Sequence, residues 1–234
     1  MSRHHDIAFP GESAAYREAR DNLLDREIAL RRHLEEVAAL RRGLPPGGQV
    51  KEDYVFEEGS PDLTDSSGTP TTVRFAELFA PGKSSLIVYG FMYGPGEDDT
   101  PCSMCTSLLD SLNGSALHAR ELVNLVIVAR APLQRVRAWA AQRNWHNLRL
   151  LSSANNSYNP DYFAEDADGD QQPSLNVFTK SGSEIFHCYN SELFFAGNEP
   201  GQNPRHCDLI WPLWNLLDLT PQGRGTDWYP QTTY

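Results

Sequence analysis

Two cysteines three positions apart, Cys102 and Cys105, are the residues in this chain best suited to chemistry. A Cys-x-x-Cys pair that opens a helix places its first sulfur beside free backbone N–H groups, where the helix dipole favours thiolate over thiol. The second sulfur then lies one turn on, close enough to attack a mixed disulfide on the first and release the product. Zinc sites share the spacing, but they want a second such pair or a nearby pair of histidines; the sequence offers neither. The expected roles are Cys102 as nucleophile and Cys105 as resolving thiol, with no metal and no bound organic cofactor. The remaining cysteines, Cys188 and Cys207, are scattered, and unpaired cysteines ordinarily behave as small buried hydrophobes. Each follows a histidine, His187 or His206, yet the spacing matches no common zinc pattern. His187 reads first as a hydrogen-bonded structural histidine.

The pair needs a strand that ends, and a helix that begins, at the right place. Ser85 to Tyr93 is nearly all apolar or aromatic, as a central strand buried on both faces reads. It runs through Gly94-Pro95-Gly96 and the acidic Glu97, Asp98 and Asp99 into Pro101-Cys102. A helix then carries Leu108, Leu109 and Leu112 on one face, with Gly114 expected to end or interrupt it. Leu122 to Ala129 is a second buried strand, and Pro132 to Arg143 is a helix with proline in its first turn. Leu148 to Leu151 is a short strand, and Asn155 to Asp170 is a loop. Strands at Ser174–Thr179 and Glu184–Tyr189 form a hairpin about Ser181-Gly182-Ser183. A last helix is expected over Asp208 to Leu217. Upstream, residues 13 to 42 predict one long amphipathic helix, capped by Ser13 and stopped by Gly43, Pro45 and Pro46. Its stripe of Tyr16, Leu23, Leu30, Leu34 and Val37 predicts packing on the body or on a second copy, so a homodimer is open to it. Tyr54 to Glu57 reads as a strand and Val73 to Phe79 as a short helix. The order predicts an α/β fold with a mixed sheet. Its parts are an N-terminal helical arm at 1–48, a main domain at 49–220 and a C-terminal tail at 221–234.

Seven stretches stand out together: YVFEEG (Tyr54 to Gly59), FAELF (Phe75 to Phe79), LIVYGFMYGP (Leu86 to Pro95), CSMCTSLLDSLNG (Cys102 to Gly114), VARAPL (Val128 to Leu133), the hairpin about Phe186-His187 and LDLTPQGRGTDWYP (Leu217 to Pro230). With them the chain resembles a thioredoxin-like bacterial family of unknown function described as predicted dithiol–disulfide oxidoreductases. The resemblance implies a thioredoxin-like mixed β-sheet flanked by helices and a two-cysteine site. It also implies that Pro173, before the strand that enters beside the site, is cis and shapes the docking groove, against the strong trans preference of X–Pro bonds. The chain departs from thioredoxin itself in having Ser103 and Met104 between the cysteines. It also lacks a carboxylate on the preceding strand. Glu97, Asp98 and Asp99 lie in the loop instead, and their charge is expected to oppose thiolate formation.

The formal net charge of −11 and pI near 5.0 argue against nonspecific binding to nucleic acid or anionic lipid. No apolar run approaches membrane-spanning length, and Met1 to Phe9 lacks the apolar core of a secretory signal, so the cytosol is the expected compartment. The function expected first is a thiol–disulfide oxidoreductase acting on a protein or small-molecule disulfide, restored by an external thiol reductant. A thiol peroxidase is a second reading; it needs a hydroxyl and an arginine near the cysteine, with Thr100, Thr106 and Arg130 as candidates. A third is a non-enzymatic binding module that uses the N-terminal helix.

Overall fold

The computed structural model describes residues 4–65, 69–197, 199–200 and 210–234. The chain divides into two compact units, Met1–Pro45 and Pro46–Tyr234. The first is built on α1, Ala14–Arg42. The Ser13 hydroxyl caps it by accepting the Tyr16 N–H at 3.1 Å, satisfying one of the helix's free donors. Arg41 and Arg42 fall in the last turn, where the dipole favours cations. No residue of α1 is buried, and Tyr16, Leu23, Leu30 and Leu34 are exposed.

The second unit holds strands β1 (Val55–Glu58), β2 (Thr71–Arg74), β3 (Ser85–Phe91), β4 (Asn124–Ala129), β5 (Leu150–Ser152), β6 (Ser174–Ser181) and β7 (Glu184–Asn190). Its helices are α2 (Ser103–Leu122), α3 (Leu133–Arg143), the short α4 (Tyr158–Asp161) and α5 (Pro212–Asp218). One seven-stranded sheet runs in the order β2-β1-β5-β4-β3-β6-β7. β3, β4 and β5 are parallel, joined through α2 and α3; β6 is antiparallel to β3, and β7 to β6. Two parallel strands linked by a helix, followed by an antiparallel hairpin beside the first of them, make the thioredoxin-like mixed sheet that the sequence led us to expect.

Strand periodicity divides the core between the two faces of the sheet. Tyr89, Phe91, Ile127 and Ala129 point to one side and pack against Leu108 and Leu109 of α2 and Val136 and Ala140 of α3. Leu86, Val88, Val126, Val128 and Phe178 point to the other and meet Tyr54, Phe56, Phe75 and Tyr158. Because both faces are covered, β4 is buried at every position, which is why it reads as an unbroken apolar run.

Four expectations need correction. The helix expected at Val73–Phe79 is β2 followed by a single 3₁₀ turn, Phe75–Leu78. Val73 pairs with Phe56 in the ladder, and the Asp53 and Glu77 carboxylates accept the Ala76 and Arg74 N–H groups, so the turn closes at once. Gly114 does not stop α2, which continues for eight residues; burial of Ala116 beyond the glycine outweighs a glycine penalty of about 1 kcal/mol. The expected loop Asn155–Asp170 contains α4, drawn in by the fully buried Tyr158. The last helix is described over Pro212–Asp218; Asp208 and Leu209 lie outside the described residues. Among the described residues, no helix is long and apolar enough to cross a membrane.

The β3–β6 pair carries a tight contact next to the cysteine-bearing turn. Gly90 stands opposite Ser174, and a Cβ at Gly90 would meet the Ser174 hydroxyl at 2.2 Å. Ser174 is fully buried and its hydroxyl finds no partner among the described residues. Gly90→Ala should therefore cost about 2 kcal/mol in urea unfolding, an overpacking effect. Adding Ser174→Ala should recover most of that loss, because it removes the clashing atom and an unpaired polar group together. A strictly additive double variant would show that the two positions do not compete for space.

Candidate functional site

The cysteines sit where the central strand hands over to a helix. Past the end of β3, the Met92 carbonyl accepts the Cys102 N–H at 3.0 Å, tying the turn to the sheet. Cys102 is the N-cap of α2: its backbone is extended (φ −57°, ψ 127°) and its Sγ accepts the Cys105 N–H at 3.4 Å. A sulfur thus stands where a serine or aspartate oxygen usually caps a helix, and negative charge there is favoured by the dipole. Cys102 is partly exposed, Cys105 is 4% exposed, and both are free thiols.

The two thiols are driven apart in acidity. The Cys105 thiol donates to Cys102, and the Cys105 and Met104 N–H groups add to this against an opposing burial effect; Cys102 is lowered from 9.0 to about 6. Cys105 moves well above 9.0, because it is the donor in that bond, is buried, and faces the Cys102 charge. At neutral pH the pair holds one proton between two sulfurs: a thiolate near the surface and a thiol beneath it.

The acidic loop does not act on Cys102 as its composition suggested. No carboxylate is among the groups that set the Cys102 acidity. The Asp99 carboxylate turns back to accept the Gly96 N–H at 2.7 Å. It also fills the space beside Gly94, where a Cβ would stand 2.2 Å from it. Arg135 of α3 pins the same loop. Its guanidinium lies 4.7 Å from the centre of the Tyr93 ring and donates to the carbonyls of Pro95, Gly96 and Asp99. Arg135 escaped the sequence reading because nothing in its local pattern reports which loop it would reach.

Pro173 precedes β6, whose first residue Ser174 pairs with Gly90, two residues before the Met92 whose carbonyl anchors Cys102. The expected cis bond is absent: every described peptide bond is trans. The Gln172 N–H bonds the Ala164 carbonyl at 2.9 Å and its side chain bonds Asp166, which tie down the residue before the proline, and trans is the cheaper isomer.

The remaining candidates are drawn elsewhere. Thr106 is buried and its hydroxyl accepts the Trp139 indole N–H at 3.2 Å. Arg130 is held by the carbonyls of Ser153, Ala154 and Asn156 and by Glu165, and Thr100 is exposed on the loop. The Arg130 guanidinium and the Thr106 hydroxyl are thus each engaged with partners other than the cysteines. His187 bonds Asn176 at 2.9 Å and packs beside Phe178 and Tyr162, on the face of the sheet away from α2. Burial lowers its pKa below the ordinary imidazole value, which favours the neutral ring. The Cys188 thiol donates to the Val177 carbonyl and burial raises it, which keeps it protonated. His206 and Cys207 lie outside the described residues. Tyr89, Tyr93 and Trp211 are core aromatics, as expected.

A family model described as bacterial protein of unknown function (DUF899) matches residues 5–234. No curated protein matches the chain. Among solved structures, the chain is similar to Mycobacterium bovis AhpC at 18% identity and a TM-score of 0.43, covering 82% of this chain and 98% of that one. It is similar to Enterococcus faecalis AhpC at 12% identity and a TM-score of 0.46, covering 74% and 94%. A reduced 2-Cys peroxiredoxin of Plasmodium vivax gives 17% identity and a TM-score of 0.42, covering 70% and 93%.

Proposed function

The chain belongs to the bacterial family of unknown function whose model spans residues 5–234, and from that premise we propose that it is a thiol–disulfide oxidoreductase. The observation that carries the reading is the Cys102 sulfur at the N-cap of α2, 3.4 Å from the Cys105 N–H and lowered to about 6, above a buried protonated Cys105. The Cys102 thiolate attacks one sulfur of a substrate disulfide. That S–S bond breaks and the departing thiolate takes up a proton. Cys105 then attacks Cys102, releases the second substrate thiol, and leaves a Cys102–Cys105 disulfide. Two electrons pass to the substrate, and an external dithiol in the cytosol returns them. The sulfurs perform every step, so no bound cofactor takes part. On this reading Pro173, the residue before β6, would border the groove in which a substrate lies against Cys102.

A redox titration tests this. Purified protein is equilibrated across a thiol–disulfide series, free thiols are trapped with a mass tag, and the bonded pair is mapped. One two-electron transition with the bond between Cys102 and Cys105 is expected; two cysteines that stay reduced at every poise refute the reading. The pH dependence adds a sharper check. Below the Cys102 value of about 6, reduction takes up two protons; above it, one, until Cys105 ionises at a pH well above 9. The midpoint should therefore fall by about 59 mV per pH unit below pH 6 and about 30 mV per unit above it. A single slope of about 59 mV per unit through pH 8 would mean that Cys102 is not the lowered thiol.

A further inference from the structure

Cys102 can cap α2 only if the chain reaches it from the right direction, so the loop before it belongs to the site. Residues 94–100 fold on themselves: the Asp99 N–H bonds the Gly96 carbonyl at 3.1 Å, and the Asp99 carboxylate accepts the Gly96 N–H at 2.7 Å. Neither bond fastens the loop to the body. Among the described residues, every hydrogen bond from residues 94–100 to another element is made by Arg135 of α3, through the carbonyls of Pro95, Gly96 and Asp99. The same guanidinium covers the Tyr93 ring at 4.7 Å, and the Tyr93 carbonyl accepts the Ala131 N–H at 2.8 Å, so the start of the loop is also joined to the start of α3. Asp99 stands three residues before Cys102. Pro101 has a fixed φ, and Thr100 before it is restricted to extended conformations, so little freedom separates the Asp99 carbonyl from the Cys102 backbone. Arg135 lies in the first turn of α3, where the dipole disfavours a cation; its three carbonyl partners account for that place.

The other side of Cys102 is held separately. Trp139, one turn along α3, donates its indole N–H to the buried Thr106 hydroxyl at 3.2 Å, and the Thr106 N–H bonds the Cys102 carbonyl at 2.9 Å. We infer that Arg135 is a positioning residue for the reactive sulfur: its guanidinium fork holds the loop so that Cys102 stays at the N-cap of α2, with Sγ 3.4 Å from the Cys105 nitrogen. The inference deepens the oxidoreductase reading and rests on it. Arg135 acts through the backbone and not as a charge on the sulfur, since it is not among the groups that set the Cys102 acidity. Without the fork, the loop stays tied to the body only at its neck, where the Cys102 N–H meets the Met92 carbonyl. A lysine keeps the cation and cannot span three carbonyls.

The full chain is tested by the pH dependence of iodoacetamide alkylation, read on the Cys102 peptide, with thermal melting measured beside it. Arg135→Ala should raise the midpoint by about one to two pH units, roughly what a hydrogen bond to a charged group contributes. Arg135→Lys should raise it nearly as far, and it decides the matter where Arg135→Ala folds poorly. Trp145→Phe, which loosens the core away from the loop, should lower the melting temperature and leave the midpoint in place. A midpoint unmoved in Arg135→Ala, restored by Arg135→Lys, or moved equally by Trp145→Phe overturns the assignment while leaving the dithiol reading intact. A wild-type midpoint near 9 overturns the thiolate at Cys102, and the assignment with it.

Discussion

Cys102→Ser should reduce turnover of a disulfide substrate by on the order of 10³-fold or more at pH 7, since a hydroxyl at the same place stays protonated and is a far weaker nucleophile. Cys105→Ser should fail differently: the first attack proceeds, and the enzyme accumulates as a mixed disulfide on Cys102, visible by intact mass. The acidity of Cys102 separates the two roles further. Its alkylation rate by iodoacetamide should rise with pH through a midpoint near 6 in the wild type, because only the thiolate reacts. The largest single cause of that low value is the hydrogen bond from the Cys105 thiol. Cys105→Ala should therefore carry the midpoint upward towards 9.0, the ordinary value. Cys105→Ser retains a donor and should fall between them. A wild-type midpoint near 9 would show that this sulfur is not activated, and a midpoint near 6 that Cys105→Ala leaves in place would assign the activation to the capping N–H groups and not to the Cys105 thiol.

The second large effect is on stability, at Trp145. It is fully buried just beyond α3, its ring packs edge-on to Phe91 at 5.6 Å, and its indole N–H donates to Asp110 of α2 at 2.8 Å. Asp110 also receives Arg143, so one carboxylate joins α2 to the α3 end and the turn that follows. Trp145→Ala removes a large core side chain and one of the two donors to Asp110. The expected loss is about 3–5 kcal/mol, a fall of about 10 °C or more in Tm. Trp145→Phe keeps part of the ring contact and should cost about half as much. Both should leave the Cys102 alkylation midpoint near 6, because every hydrogen bond that lowers it comes from the first turn of α2. A midpoint that moved with the melting temperature would mean that the acidity depends on how α2 is seated against α3, and not on the cap alone.

What the residues declared locally, they declared well. Ser13 before a helical pattern and Gly43 with two prolines after it bound α1 to within a residue, because caps and breakers act over one turn. The apolar runs at Ser85–Tyr93 and Leu122–Ala129 announced strands covered on both faces, which form at Ser85–Phe91 and Asn124–Ala129, since alternation is lost only when neither face meets water. The placing of Cys-x-x-Cys between such a strand and a helix was legible for the same reason, and it fixes which sulfur lies nearest the free N–H groups. Tertiary pairing decided the rest. Val73 became strand because Phe56 stood ready to pair with it. Gly114 stayed helical because Ala116 beyond it had a core to enter. Asp99 turned away from Cys102 to its own loop, Arg135 reached across from α3, and His187 faced the sheet's far side. Above all, no local pattern distinguishes Tyr89 from any buried aromatic. Its place in the core cluster that holds Cys105 exists only because β3 pairs in a register that turns that side chain towards α2. A one-residue slip would send it to the opposite face.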